Sequence, residues 1–266
     1  MPMARYDFRA PRLFVEDRLK ASAVLELERD AANYLRNVLR LKDGDTVLMF
    51  NGRDGEWRCV LSASGKRALT ATAEEQTREQ TAATDLHYLF APLKHARLDY
   101  VVQKAVELGV SRLQPVITQH TQVARVNVER MRGNVIEAAQ QCGVISLPEV
   151  AEPAELKPLI AKLGADRLLI FCDEEAEIAD PVAALSERRS PPSALLPTGA
   201  APLPMAVLIG PEGGFSADER EMLLKAPNVV RIALGPRILR ADTAAVAALA
   251  LVQAVLGDWV TGDAAS

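Results

Sequence analysis

The stretch "IGPEGGFSADE", residues 209–219, joins an apolar run to a segment that begins as helices begin. The apolar run, residues 205–209, is short and continuous, which is typical of a strand buried on both faces of a parallel sheet. Ser216 and Glu219 have the spacing of a capping box, which marks the first turn of a helix. Open α/β sheets bind ligands at such junctions, because the backbone N–H groups at the helix start are unpaired. The stretch therefore predicts a binding site on an α/β fold.

A second junction of the same kind follows in the sequence. "IALGPRILRADTAA", residues 232–245, again passes from an apolar strand through Gly-Pro to a helix start. One such loop is usually only a tight turn, but two matched loops that close neighbouring strands favour a ligand cleft. Neither loop has the glycine spacing of dinucleotide-binding or nucleoside-triphosphate-binding motifs, which argues against a nucleotide-dependent metabolic enzyme.

The chain divides into two parts by its pattern of strands and helices. Residues 1–76 contain short β-rich runs between turns, with one helix over residues 30–44. Residues 86–266 alternate between strands and helices, which predicts a parallel sheet covered on both faces. The polar segment 77–85 is the predicted linker between these domains. Residues 187–204 fit no periodic pattern and are predicted to form an exposed, mobile loop.

Composition restricts the class of protein. Of the 266 residues, 49% are hydrophobic and 25% are charged. The sequence shows no signal peptide and no apolar run long enough to cross a membrane, so a cytoplasmic protein is expected. The three cysteines lie far apart and lack neighbours at metal-ligand spacing, so neither a metal nor a disulfide is expected. Net charge is −4, yet residues 1–70 carry 13 Lys/Arg against 10 Asp/Glu. This basic part is therefore a candidate RNA-binding surface.

The N-terminal helix carries two arginines at helical spacing. Arg36 and Arg40 are one turn apart and would share a face. A solvated face is the common explanation for such a pair, whereas a neighbouring small β-barrel favours RNA binding, and both alternatives stay open. We expect Arg12, Arg36 and Arg40 to position RNA without taking part in chemistry. The residues of this helix predicted to enter the core are Tyr34, Leu35, Val38, Leu39 and Leu41.

Several segments together resemble the ribosomal RNA small-subunit methyltransferase E family of the SPOUT superfamily. They are "LDYVVQKAVELGV", "EAAQQCG" and the two glycine-containing loops, with "PRLFV" and "NYLRNVLRLKDGD" resembling the N-terminal part of the family. The resemblance implies an α/β fold with a SPOUT-type parallel sheet and a C-terminal trefoil knot, preceded by a small PUA-like β-barrel domain. It also implies that S-adenosylmethionine is used to methylate N3 of uracil 1498 in 16S rRNA, free or in the small ribosomal subunit.

The same resemblance assigns the two loops to the S-adenosylmethionine cleft. The implied cofactor-binding residues are Leu208, Ile209, Gly210, Glu212 and Gly213 from the first loop, and Leu234, Gly235, Ile238, Leu239 and Arg240 from the second. Glu212 is assigned either to the cofactor or to a partner subunit. Arg240 would stabilise the uracil anion that forms when N3 loses its proton, and either solvent or a nearby carboxylate such as Asp242 would accept that proton. Alternatively, Arg240 only braces the knot and Asp242 only caps the final helix.

Two positions depart from the family pattern. Val144 stands where the family usually has Arg, so one candidate substrate contact is not carried over, and Asp242 replaces the usual Glu with a shorter reach. The competing function is a non-catalytic RNA-binding ribosome-assembly factor, which would have no need of intact glycine loops. The final helix, residues 242–259, is apolar on nearly every face. One sheet face cannot cover it, so we predict a homodimer, which in the family pairs through the knot region.

Overall fold

The computed structural model describes residues 10–64, 68–123, 125–177, 180–188 and 203–260. The chain forms two compact units. The first draws on Met1–Ala82 and Ile136–Leu147, and the second on Ala83–Val135 and Pro148–Ser266. The mobile loop predicted over residues 187–204 lies, except at its two ends, outside the described residues.

Five strands form the sheet of the first unit, in the order β1-β3-β4-β5-β2. They are β1 (Arg12–Phe14), β2 (Val24–Glu26), β3 (Thr46–Phe50), β4 (Glu56–Ser64) and β5 (Ala68–Arg78). The central strands β3, β4 and β5 pair antiparallel, whereas β1 runs parallel to β3. Gly52 and Gly55 lie in the turn between β3 and β4 with φ of 79° and 78°, a conformation that glycine adopts without strain. The predicted β-rich character of this part is confirmed.

The helix of the first unit is shorter than predicted. Helix α1 (Arg29–Asn33) continues as one π-helical segment, Tyr34–Val38, and ends there. Leu35 is fully buried as predicted, but Tyr34 and Val38 are 39% and 63% exposed. The prediction that these two residues enter the core is wrong. A π-helix has a wider turn, so a pattern counted at 3.6 residues per turn does not identify its buried face.

The first unit is completed by a segment far along the chain. Residues 136–147 belong to it and bond to its N-terminal strands. The N–H of Phe14 donates to Gln140 Oε1 at 2.9 Å, and Arg78 Nη1 donates to the carbonyl oxygen of Gly143 at 2.9 Å. The predicted linker also begins within structure, since β5 runs to Arg78. The division into domains at residues 76 and 86 stays a prediction.

All strands of the second unit are parallel. Their order is β12-β10-β11-β6-β7-β8, with β9 paired to β7. The strands are β6 (Leu86–Phe90), β7 (Arg112–Ile117), β8 (Glu149–Val150), β9 (Ala154–Glu155), β10 (Leu168–Cys172), β11 (Met205–Ile209) and β12 (Val229–Ile232). The helices that follow them in sequence are α2 (His95–Glu107), α3 (Val128–Cys142), α4 (Leu156–Lys162), α5 (Pro181–Ser186), α6 (Ala217–Leu224) and α7 (Ala241–Val255). The predicted α/β fold with a parallel sheet is confirmed.

The sheet order decides where the two glycine-containing loops lie. Strand β11 is buried along its whole length, and β10 lies between it and β12. Cys172, the last residue of β10, pairs with Ile209 of β11 on one side and with Ile232 of β12 on the other. The two loops therefore leave the same edge of the sheet. The sequence had suggested that their strands are neighbours, but β10 separates them. The loop after β10 enters the space between them.

Candidate functional site

A cavity of about 450 Å³ lies at the carboxyl ends of β10, β11 and β12. Three loops line it, one from each strand. We name them the acidic loop (173–177), the first glycine loop (210–216) and the second glycine loop (233–240). Ala241 and Ala244 at the start of α7 complete the wall. Its volume falls within the range of about 300–1,000 Å³ found for small-molecule sites.

The cavity brings together most of the residues predicted to bind the cofactor. Those that line it are Ile209, Gly210, Glu212, Leu234, Gly235, Ile238, Leu239 and Arg240. The two that do not are Leu208, which is fully buried in the core of the second unit, and Gly213, which lies outside the lining. The role of these residues in cofactor binding stays a prediction.

Two glycines of the lining have a physical reason to be glycine. A Cβ atom at Gly210 would lie 2.5 Å from the ring of Phe215. That ring packs edge-on against Phe171 of β10, with 5.3 Å between centroids, so it fills the space beside the backbone of the loop. Gly235 has φ of 94°, which side chains rarely adopt, and no atom lies within 4 Å of its Cβ position. Gly210 is therefore required because the Phe215 ring occupies the place of a side chain, whereas Gly235 leaves its backbone open to a ligand.

The first glycine loop is held in place by residues on its flanks. His120 Nδ1 lies 3.1 Å from the carbonyl oxygen of Gly213. Ser216 and Glu219 exchange two hydrogen bonds between side chain and backbone, which confirms the predicted capping box. The second carboxylate oxygen of Glu219 accepts from the N–H of Gln119 at 2.8 Å. These contacts preorganise the loop before any ligand binds.

The acidic loop was not predicted as part of the site. The carboxylate of Asp173 is 5% exposed and accepts from Arg220 at 3.0 Å and from Arg231 at 2.6 Å. Arg220, which also lines the cavity, pairs in addition with Glu175. Two arginines offset the cost of burying the Asp173 charge. The available signal was "LLIFCDEE", an apolar strand followed by an acidic run, at the edge where parallel sheets bind ligands.

Cys172 lines the cavity as a protonated thiol. Burial, assisted by the neighbouring charge of Asp173, raises the pKa of Cys172 to about 12. A thiolate nucleophile is thereby disfavoured at neutral pH. Within the described ranges, no cluster of three His, Cys, Asp or Glu side chains is arranged to hold a metal ion. No helix within those ranges combines the length and the apolar character needed to span a bilayer.

Arg240 and Asp242 lie where the second glycine loop meets α7. Arg240 is the N-cap residue of that helix and is exposed, and its guanidinium makes no hydrogen bond or ion pair with the residues that the structure describes. The expectation that Asp242 is the cap of the helix is wrong, because Arg240 is the N-cap residue and Asp242 lies in the first turn. The Asp242 carboxylate accepts from the N–H of Thr243 at 2.8 Å. Arg240 is thus free to meet a ligand, and no carboxylate among the described residues pairs with it.

Glu212 has a partner on helix α2. Its carboxylate pairs with Arg97, and Arg97 Nε also lies 4.0 Å from the carboxylate of Asp242. Arg97 therefore bridges the first glycine loop and the start of α7. The side chains of Arg97 and Glu212 are 42% and 47% exposed, and a pair so exposed contributes only about 0–1 kcal/mol. Such a pair can exchange partners when a ligand arrives.

The three arginines predicted to position RNA differ in their placement. Arg12 is buried and pairs with Glu56 at 3.1 Å, so it does not offer the exposed cation that a phosphate contact requires. Arg36 is half-buried, and its Nη2 donates to the carbonyl oxygen of Ala68 at 3.0 Å. Arg40 is exposed but lies beyond the helix, with φ of 59°, so it does not share a helical face with Arg36. Of these three arginines, Arg36 and Arg40 remain candidates for binding RNA.

Comparisons with known proteins cover both units of the chain. The family model of an RNA methyltransferase domain matches residues 80–253, and that of an RNA methyltransferase PUA domain matches residues 27–74. Ribosomal RNA small subunit methyltransferase E of Rickettsia conorii is 30% identical over 243 residues, which covers 91% of this chain and 94% of that protein. The protein of the same name from Synechocystis is 31% identical over 93% of this chain and 78% of its own length.

Solved structures extend the comparison. The structure of the putative methyltransferase Lpg2936 from Legionella pneumophila, in complex with the bound cofactor SAM, has a TM-score of 0.75 and 27% identity. The match covers 92% of this chain and 98% of the Legionella chain. A probable rRNA-methyltransferase from Porphyromonas gingivalis has a TM-score of 0.73 and 25% identity over 92% of this chain and 98% of its own.

Proposed function

Because the chain belongs to the ribosomal RNA small subunit methyltransferase E family, we propose that it uses S-adenosylmethionine to methylate N3 of uracil 1498 in 16S rRNA. The observation that carries the proposal is the cavity at the carboxyl ends of β10, β11 and β12, which both glycine loops line. The cofactor in the similar Legionella structure supports the same assignment. An rRNA substrate would place the enzyme in the cytoplasm, where bacterial ribosomes are assembled.

The lining of the cavity fits S-adenosylmethionine in shape and chemistry. The backbone at Gly235 has no side chain and no neighbouring atom within 4 Å of its Cβ position, so its polar groups can bond to the adenine and ribose. Ile209, Ile238 and Leu239 supply apolar surface for the adenine ring. When bound, the cofactor supplies an activated methyl group. These side chains and backbone groups hold and orient it.

Arg240 and Asp242 have the chemistry that the acceptor base requires. Uracil N3 is a poor nucleophile until its proton leaves, after which negative charge spreads onto the two flanking carbonyl oxygens. The planar cation of Arg240 faces the cavity and suits that delocalised anion. Asp242 is close by as a carboxylate able to accept the proton. Arginine stays protonated, so Arg240 itself is not the base.

Mass spectrometry of 16S rRNA tests the proposal directly. In cells without this protein, the methyl group on N3 of uracil 1498 should be absent, and expression of the protein should restore it. An unchanged methylation pattern would overturn the proposed reaction. Titration calorimetry with S-adenosylmethionine separates an enzyme from a non-catalytic assembly factor, since the latter would bind RNA and give no heat with the cofactor. The intact glycine loops favour the enzyme.

The two candidate arginines of the first unit give a prediction about RNA binding. Replacing Arg36 and Arg40 with alanine should weaken RNA binding and leave the affinity for S-adenosylmethionine unchanged. Removal of each bond to a phosphate should make the salt dependence of binding shallower by about 0.7 in slope. Filter binding at several salt concentrations measures this effect, with Lys162→Ala on helix α4 as the matched loss of charge. An unchanged salt dependence of RNA binding in the double variant would show that the two arginines are only solvated and do not contact phosphate.

We also propose that the two glycine loops form a trefoil knot and that the protein pairs through it as a homodimer. On helix α7, Leu249 and Val252 are buried within the second unit, whereas Val246 and Leu251 are only half-buried. These half-buried apolar side chains favour a second subunit as their cover. Light scattering is expected to give twice the chain mass of 28.8 kDa. A monomer at micromolar concentration would contradict the proposal.

A further inference from the structure

We name the cavity at the carboxyl ends of β10, β11 and β12 the cofactor cavity. A second cavity, of about 370 Å³, adjoins it, and we name this second one the side cavity. Its lining consists of Pro92, Leu93, Lys94, Arg97, Gln122, Val123, Pro211 and Glu212. Pro211 and Glu212 also line the cofactor cavity, so the two cavities meet at the first glycine loop. A ligand in the side cavity would therefore lie next to the bound cofactor.

The proposed reaction requires a second space of this kind. Methyl transfer needs the acceptor atom about 3–3.5 Å from the methyl group, so the base must enter a space continuous with the cofactor site. N3 of uracil lies on the Watson–Crick edge, which is out of reach in a stacked duplex. Enzymes that modify bases therefore act on single strands or draw the nucleotide out of the stack into a pocket.

The walls of the side cavity have the chemistry of a nucleotide site. Pro92 and Leu93, which follow β6 after one intervening residue, are buried and form an apolar floor against which a base can pack. Lys94 is exposed, and its ammonium makes no hydrogen bond or ion pair with the residues that the structure describes. Arg97 adds a second positive charge, which forms an exposed pair with Glu212 and lies 4.0 Å from the carboxylate of Asp242. A phosphate would satisfy both cations.

We propose that the side cavity holds the target nucleotide of the RNA, with its base on Pro92 and Leu93 and its phosphate on Lys94 and Arg97. The inference rests on the proposed function and adds the position of the acceptor to it. Arg97 would exchange Glu212 for the phosphate as the nucleotide enters, because a charge-assisted bond to phosphate is stronger than an exposed ion pair. Lys94 and Arg97 would thus be binding residues for RNA, separate from the cofactor contacts.

Replacing Lys94 with glutamine tests the inference in the full-length protein. With 16S rRNA from cells that lack the protein as substrate, KM for RNA should rise roughly tenfold, the effect of losing one charge-assisted bond. The salt slope of RNA binding should become shallower by about 0.7. The affinity for S-adenosylmethionine, measured by calorimetry, should equal that of the parent. Lys162→Gln, the same change on α4 at a residue that lines neither cavity, should leave all three quantities unchanged.

A second variant tests whether RNA binding needs the empty volume of the side cavity. Tryptophan in place of the exposed Gln122 would occupy the side cavity, so it should raise KM for RNA while S-adenosylmethionine still binds. If Lys94→Gln and Gln122→Trp both methylate RNA with the parent's KM, the nucleotide binds elsewhere and the inference is overturned while the proposed function stands. If the parent neither binds the cofactor nor methylates RNA, the proposed function fails and the inference falls with it.

Discussion

Replacing Arg240 with alanine is expected to lower the rate of methylation roughly 100- to 1,000-fold while the protein still binds S-adenosylmethionine. Loss of one preorganised donor to a developing negative charge has a cost of this order. Arg240 lines the cavity, and its guanidinium is not engaged by any residue within the described ranges, so it can meet the uracil anion without first breaking another bond. Initial rates with 16S rRNA measure the loss, and calorimetry measures the cofactor affinity.

Arg237 provides the matched control for this experiment. It lies in the same second glycine loop, lines the same cavity and is exposed. Arg237→Ala removes the same charge and should reduce the rate far less. A folded Arg240→Ala variant that methylates RNA at the parent's rate would remove Arg240 from the mechanism. Loss of cofactor binding in that variant would instead make Arg240 a cofactor ligand.

Replacing Glu56 with glutamine is expected to lower the free energy of unfolding of the first unit by about 3–5 kcal/mol, the usual cost of breaking a buried ion pair. The Glu56 side chain is 3% exposed. It accepts hydrogen bonds from Arg12 at 3.1 Å, from Arg78 at 2.5 Å and from the Thr77 hydroxyl at 2.8 Å. A neutral amide would remove the carboxylate charge that offsets those of Arg12 and Arg78 in a region of low dielectric.

An exposed pair on the same two strands gives the comparison. Glu75 of β5 pairs with Arg58 of β4, and their side chains are 62% and 46% exposed. Glu75→Gln should therefore change stability by no more than about 1 kcal/mol. Urea unfolding of both variants, followed by fluorescence, measures the difference. Equal midpoints for Glu56→Gln and Glu75→Gln would show that the buried network contributes no more than a surface ion pair.

The same network predicts how stability depends on pH. Burial raises the pKa of Glu56, but hydrogen bonds from Arg78 and Thr77, with the charges of both arginines, outweigh it and lower the pKa below its ordinary value. The stabilisation is therefore fully present above the unfolded pKa of about 4.3, and it is lost as pH falls through the lower folded pKa. The stability difference between the parent and Glu56→Gln should accordingly shrink on acidification below about pH 4.

Features that depend on nearby residues were predictable from sequence. The capping box of Ser216 and Glu219 spans one helical turn, and the first glycine loop follows an apolar strand that is buried as the pattern indicates. The π-helix at Tyr34–Val38 was not predictable by the same means, because period-based reasoning assumes an α-helical turn. The buried position of Arg12 depends on Glu56, 44 residues away, and a sequence pattern does not contain that pairing.

The residues of the candidate site likewise divide into those that could be predicted from sequence and those that could not. The two glycine loops could be recognised because each carries its own signal. Strands β11 and β12 follow one another in sequence, yet β10 lies between them in the sheet, and only that order brings Asp173 and Arg220 to the cavity. Strand order is set by packing across the whole unit. The side cavity likewise depends on α2 lying beside the first glycine loop.

The segment 136–147 has a consequence for how the protein is made. A ribosome releases the chain from its N-terminus, and domains generally fold as units in that order. Here the N-terminal sheet emerges long before Gln140 and Gly143, whose bonds to Phe14 and Arg78 complete it. During synthesis the nascent sheet must persist without that segment while residues 83–135 are added. Its final assembly therefore waits until more than half of the polypeptide has been translated.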